Sequence, residues 1–121
     1  MPREIYLLSA DPITVAQVAV AGVEIDPDLV LRGIANGNAT QLLDAEDEAV
    51  LTIENSRKLA DPADALTLLP QQPRRLGALE PGECWWTQAV APWSRRGTIG
   101  TRITTRLAEL LNARLWIEDG Q

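Results

Sequence analysis

The chain has 121 residues, 45% of them hydrophobic and 23% charged, which is the make-up of one globular domain and not of a disordered tract. It carries a formal charge of −6 and no histidine. That removes Ser-His-Asp and Cys-His catalysis and the commonest zinc ligand, and it argues against general binding to a phosphate backbone.

Glu4–Ser9 is a short apolar run and predicts a buried strand. Asp11-Pro12 is a helix opening, since Asp caps free amides and Pro is already shaped for a first turn. The helix is expected from Pro12 to about Ala21, with Ile13, Val15, Val18 and Val20 among its apolar positions. Its many β-branched residues keep a strand open as the competing assignment. Gly22 ends it, and Glu24–Asp28 reads as a turn.

Leu29–Ala35 predicts a strand, Asn36-Gly37 a type I′ hairpin turn, and Asn38–Asp44 the returning strand. Ala45-Glu46-Asp47 makes a second turn, and Ala49–Glu54 alternates as a third strand. These form a three-stranded antiparallel meander. Asp61-Pro62 opens a short helix ending near Leu69, Pro70–Gly82 reads as a loop, and Glu83–Ala91 as a strand.

The clearest pattern is Gly97–Glu118. Ile99, Ile103, Leu107, Leu110 and Leu111 recur at helical spacing, with Thr98 as expected N-cap and Asn112 as expected stop. Leu115 and Ile117 then alternate with Trp116 and Glu118 as a strand. A single domain over residues 1–121 is expected, α+β in class. It should be a two-layer sandwich, with two main helices on one face of a mixed, mainly antiparallel sheet of about six strands. The arrangement resembles an elaborated ferredoxin-like architecture. That resemblance implies no activity, because the architecture hosts many.

The charge is uneven. Residues 1–60 hold ten acids and four bases, and residues 61–121 hold seven of each. No apolar run approaches the ~20 residues that cross a bilayer, and the first residues lack a signal-peptide pattern. The lone cysteine, Cys84, excludes an internal disulfide and is expected to be buried and inert. A cytoplasmic location follows as the expectation, with no cofactor and no metal implied. The carboxylates of Asp44–Glu48 read as a solvated turn, since their spacing is not that of a calcium loop.

Arg95, Arg96, Gly97, Thr98, Gly100 and Arg102 form a candidate anion site, because helix-start amides and guanidinium groups hold phosphate or carboxylate. The plainer account is a solvated rim with glycines easing a turn. Gly97-Thr98-Ile99-Gly100 also resembles the G-x-x-G loop of KH domains, which would imply weak nucleic-acid binding; the acidic total and the strand before it speak against that. Trp85 and Trp86 face opposite sides of their strand, so one belongs to the core. Trp85, Trp93, Arg95 and Arg96 form a candidate interface, since Trp and Arg are enriched at hot spots. The leading functional expectation is a small non-catalytic module that binds another protein or itself, self-association pairing the acidic and basic ends. The alternative is a binding domain for an anionic small molecule at Gly97–Arg102.

Overall fold

The computed structural model describes residues 2–68 and 82–118. Its strands are β1 (Arg3–Ser9), β2 (Val30–Ile34), β3 (Ala39–Leu43), β4 (Ala49–Glu54), β5 (Arg57–Leu59), β6 (Cys84–Ala91) and β7 (Arg114–Glu118). Its helices are α1 (Val15–Ile25) and α2 (Arg95–Leu111). The strands form one sheet in the order β2-β3-β4-β6-β1-β7, with β5 also on β6. All its pairings are antiparallel, so the expected mixed sheet of about six strands is corrected to an antiparallel sheet of seven.

The alternation of directions explains the correction. β1 and β2, joined through α1, run the same way, and so do β6 and β7, joined through α2. Neither pair is adjacent, because β1 lies between β6 and β7, and three strands lie between β1 and β2.

Both helices cover one face. There Ile5, Leu7, Val18, Ala21, Leu42, Leu51, Ile53, Ala89, Ile103 and Leu107 form the main core. Ile103 and Leu107 are wholly buried, as their spacing predicts, whereas Leu110 is largely solvent-facing. On the opposite face Tyr6, Leu8, Cys84 and Trp86 form a second cluster with Ala65, from a 3-10 helix over Pro62–Thr67. Tyr6 stacks on Trp86 with ring centroids 5.4 Å apart, and Trp116 lies 6.2 Å beyond. Trp86 is therefore the core tryptophan of its pair, fully buried, and Trp85 is half-buried on the other side.

Helix α1 starts at Val15 and not at Pro12, because Thr14 and Gln17 make a capping box. Gln17 N donates to Thr14 Oγ1 at 3.2 Å, and Thr14 N donates to Gln17 Oε1 at 2.9 Å. Gly22 does not stop it. It is buried, and a Cβ there would stand 2.9 Å from Leu42 Cδ2, so the glycine lets helix and sheet approach. The helix runs on to Ile25 and ends at Asp26, just before Pro27.

The hairpin after β2 is longer than a two-residue turn. Ile34 pairs with Ala39, and Ala35, Asn36 and Gly37 all have positive φ, at 52°, 57° and 86°. Asn55 braces it, its amide nitrogen donating to Asn38 O at 3.0 Å and its Nδ2 to Gly37 O at 2.9 Å. Strand β5 has no counterpart in the sequence reading. The helix expected from Pro62 is a 3-10 helix, capped as predicted by Asp61, whose Oδ1 accepts from Ala63 N at 2.9 Å. The loop expected over Pro70–Gly82 lies outside the described residues, apart from Gly82.

Candidate functional site

Helix α2 begins at Arg95, one turn earlier than Thr98 predicts. Ser94 takes the cap position, and its carbonyl accepts from Gly97 N at 3.0 Å and Thr98 N at 3.3 Å. The expected stop is as read: Asn112 is left-handed, at φ 53° and ψ 41°. Gly97, Thr98, Gly100 and Arg102 therefore lie inside the helix, and no loop separates Gly97 from Gly100. Both glycines are buried. A Cβ on Gly97 would stand 1.6 Å from the Pro92 carbonyl oxygen. The G-x-x-G spacing here is a helix pressed onto a sheet, not a KH-like loop.

Arg96 does not face an open anion site. Its Nε donates to Asp44 Oδ2 at 2.7 Å and its Nη2 to Glu46 Oε2 at 2.7 Å. Asp44 is the pivot of the acidic turn, because its Oδ1 also accepts from Glu46 N at 2.9 Å and Glu48 N at 3.1 Å. The Arg96 hydrogen bond, then that from the Glu48 backbone, hold the Asp44 carboxyl below its ordinary pKa; Arg96 is raised by the same bond. So one arginine of the basic end pairs with two of the four carboxylates of the acidic turn within one chain. A cleft of about 510 Å³ lies beside them, lined by Asp44, Glu46, Arg95, Arg96, Thr98 and Ile99. Of the predicted set, Arg95 and Arg102 are exposed and have no ion pair among the described residues. Arg106 further along α2 pairs with Glu24 on α1 and ties the helices together.

The candidate interface residues are not brought together. Trp93 is 43% exposed and close in sequence to Arg95, and the Arg3 guanidinium lies 4.6 Å from its ring centroid. Trp85 stands near the other end of β6, roughly 20 Å away along the strand at its usual rise per residue.

Two features escape the sequence reading. The first is the outer side of α1. Val15, Val20 and Val23 are 56%, 50% and 53% exposed, and Val30, at the start of β2, is also exposed. The second is a polar cleft of about 230 Å³ on the sheet face away from the helices, lined by Asn38, Glu54, Asn55, Ser56, Arg57 and Gln88. The absence of any charge from Val15 to Val23 was the available signal for the first. Asn55-Ser56, two turn-prone residues between strand-like runs, was the signal for the second.

Among the described residues no group of three or more Cys, Asp or Glu side chains is placed to hold a metal ion, and no helix is long and apolar enough to cross a membrane. Cys84 is buried, and burial first, then the Asp61 and Asp64 carboxylates, push its thiol pKa up. No protein-family model, curated protein or solved structure matches the chain, so no known structure ties it to the ferredoxin-like architecture.

Proposed function

We propose that this domain is a non-catalytic protein-interaction module that docks through the outer side of α1. One observation carries the reading. A helix apolar on all sides is ordinarily buried on all sides. Helix α1 buries Val18, Ala21 and Gly22 against the sheet and leaves Val15, Val20 and Val23 in solvent. Contiguous exposed apolar surface marks interaction sites. The valine stripe itself carries no charge, and Glu24 at its border is paired with Arg106, so a second copy of this acidic chain or another protein meets little repulsion there.

The test is Val20→Glu with Val23→Glu, both at exposed positions that leave the core intact. Mass in solution by light scattering over a range of protein concentrations reads self-association. Cross-linking from Ala16→Cys, at an exposed position of the same helix, in the native host and in the Cys84→Ser background, reads other partners. The reading predicts that the double variant loses the wild-type oligomer or the cross-linked partner while keeping its circular-dichroism spectrum. A monomeric wild type that also yields no cross-linked partner overturns it.

A second reading, a small anionic ligand in the cleft beside Arg95 and Thr98, is supported by the presence of that cleft where α2 begins. It is weakened by Asp44 and Glu46, which share the cleft and already hold Arg96. A thermal shift with inorganic phosphate that disappears in Arg95→Gln would support it; no shift in the wild type would dismiss it.

A further inference from the structure

We propose that the polar cleft on the helix-free face binds a small zwitterion of the α-amino-acid class, its ammonium on Glu54 and its carboxylate on Arg57. The inference is independent of the α1 reading, because the two sites lie on opposite faces of the sheet.

Ile53 pairs with Ala89, and Arg57 pairs with Trp86. Four residues carry the chain from Ile53 to Arg57, but only three carry it from Ala89 to Trp86. One extra residue is therefore bulged out at Asn55-Ser56, where β4 breaks and β5 begins. In an unbroken strand, residues four apart share a face, so Arg57 would point with Ile53 towards the helices. The bulge reverses this and puts Arg57 on the face of Trp86, Gln88 and Glu54. Bulges that re-aim a side chain are over-represented beside functional sites.

The result is one carboxylate and one guanidinium on the same face. Their backbones are about two strand residues apart, ~7 Å. Both side chains are exposed, and among the described residues neither has an ion-pair partner. Beside Glu54, on β6, stands Gln88. With its amide set so that both ends are satisfied, it accepts from the buried Trp86 Nε1 at 3.1 Å and donates to Glu54 Oε2 at 3.2 Å. Glu54 is thus oriented from the core. The hairpin contributes Asn38 to the wall, and both hydrogen bonds from Asn55 tie that hairpin to the bulge.

Size and chemistry then select the occupant. A volume of about 230 Å³ lies below the ~300–1,000 Å³ of sites for drug-sized ligands. A guanidinium takes a carboxylate with two parallel hydrogen bonds, and a carboxylate takes an ammonium, so a compact molecule with both charges satisfies both ends. An anion alone would leave Glu54 beside it, like charge near like charge.

The experiment follows the Trp86 indole N–H resonance by NMR while common L-α-amino acids are added singly to millimolar concentration, with acetate and methylammonium as single-charge probes. Calorimetry supplies the affinities. The expected result is a saturable shift of that resonance with at least one amino acid. Acetate and methylammonium should each bind at least tenfold more weakly. Glu54→Gln and Arg57→Gln should each weaken the amino acid about tenfold or more, or ~1.4 kcal/mol per tenfold. Both substitutions are at exposed positions, so the fold is kept. The proposal fails if no amino acid moves the resonance. It also fails if acetate binds as well as the amino acid, or if either variant leaves the affinity unchanged.

Discussion

Gly100 and Val50 meet backbone to backbone: a Cβ on Gly100 would stand 2.1 Å from the Val50 carbonyl oxygen and 2.9 Å from the Ala91 side chain. No rotamer change relieves a contact with a carbonyl, so the helix itself must lift from the sheet. Gly100→Ala and Gly97→Ala are each expected to cost roughly 3 kcal/mol or more, at the upper end of overpacking. Gly33→Ala, where a Cβ meets nothing within 4 Å, is expected to change stability by less than about 0.5 kcal/mol. Urea midpoints for the three variants check this. Equal effects would show that the close approach is not what the glycines serve.

The second prediction concerns acid. Asp44 has its pKa lowered in the folded chain, chiefly by Arg96, so its contribution to stability is fully present above the unfolded value of ~3.9. It is lost as the pH falls through the lowered folded value. Wild type is expected to exceed Asp44→Asn in thermal midpoint at neutral pH. The two should converge below the ordinary carboxylate range. A gap that persists unchanged into strong acid would mean that the Asp44–Arg96 pair is not its source.

Much of this architecture is legible in the residues. The α2 stripe, its stop at Asn112 and the strand after it follow from periodicity alone, because Ile103 and Leu107 have no other way to leave water. The boundaries of α1 are not legible in the same way. Asp11-Pro12 and Thr14-x-x-Gln17 are both openings, and the choice between them depends on tertiary contacts of the connection. One such contact is Ser56 Oγ accepting from Ile13 N at 2.9 Å. The Arg96–Asp44 pair joins a helix start to a hairpin tip distant in sequence, and local pattern says nothing of it. Gly97 and Gly100 look like turn glycines because the surface they press against is contributed by Pro92 and Val50. The β4–β5 bulge is hidden because one extra residue in a strand leaves composition unchanged.

The third prediction concerns base. Burial, and then the charge of Glu4, push the Tyr6 phenol up to about 12 from an ordinary ~10. A group whose folded pKa is raised stabilises the fold below its unfolded value and loses that contribution as the pH rises through the folded one. Tyr6 is the only tyrosine, so ultraviolet absorbance titrates it directly. Its ionisation is expected near pH 12 in the native protein and near 10 in denaturant. Native ionisation near 10 would place the ring in water.

The fourth prediction concerns Cys84. Its thiol is buried and held protonated, and the thiolate is the reactive form. A chromogenic thiol reagent at neutral pH is expected to label it at least tenfold faster in denaturant than in buffer. Comparable rates would mean that the Cys84–Trp86 end of β6 is open to solvent.

The central position of β1 has a consequence for biosynthesis. Both strands that flank it, β6 and β7, are made well after it. During synthesis the meander can pair with itself while β1, one of the greasiest segments, waits without neighbours. Such non-local closure is slow, and it exposes an unpaired apolar strand while it lasts. The vulnerable interval is therefore set by how long the ribosome takes to make the residues that separate β1 from its two neighbours.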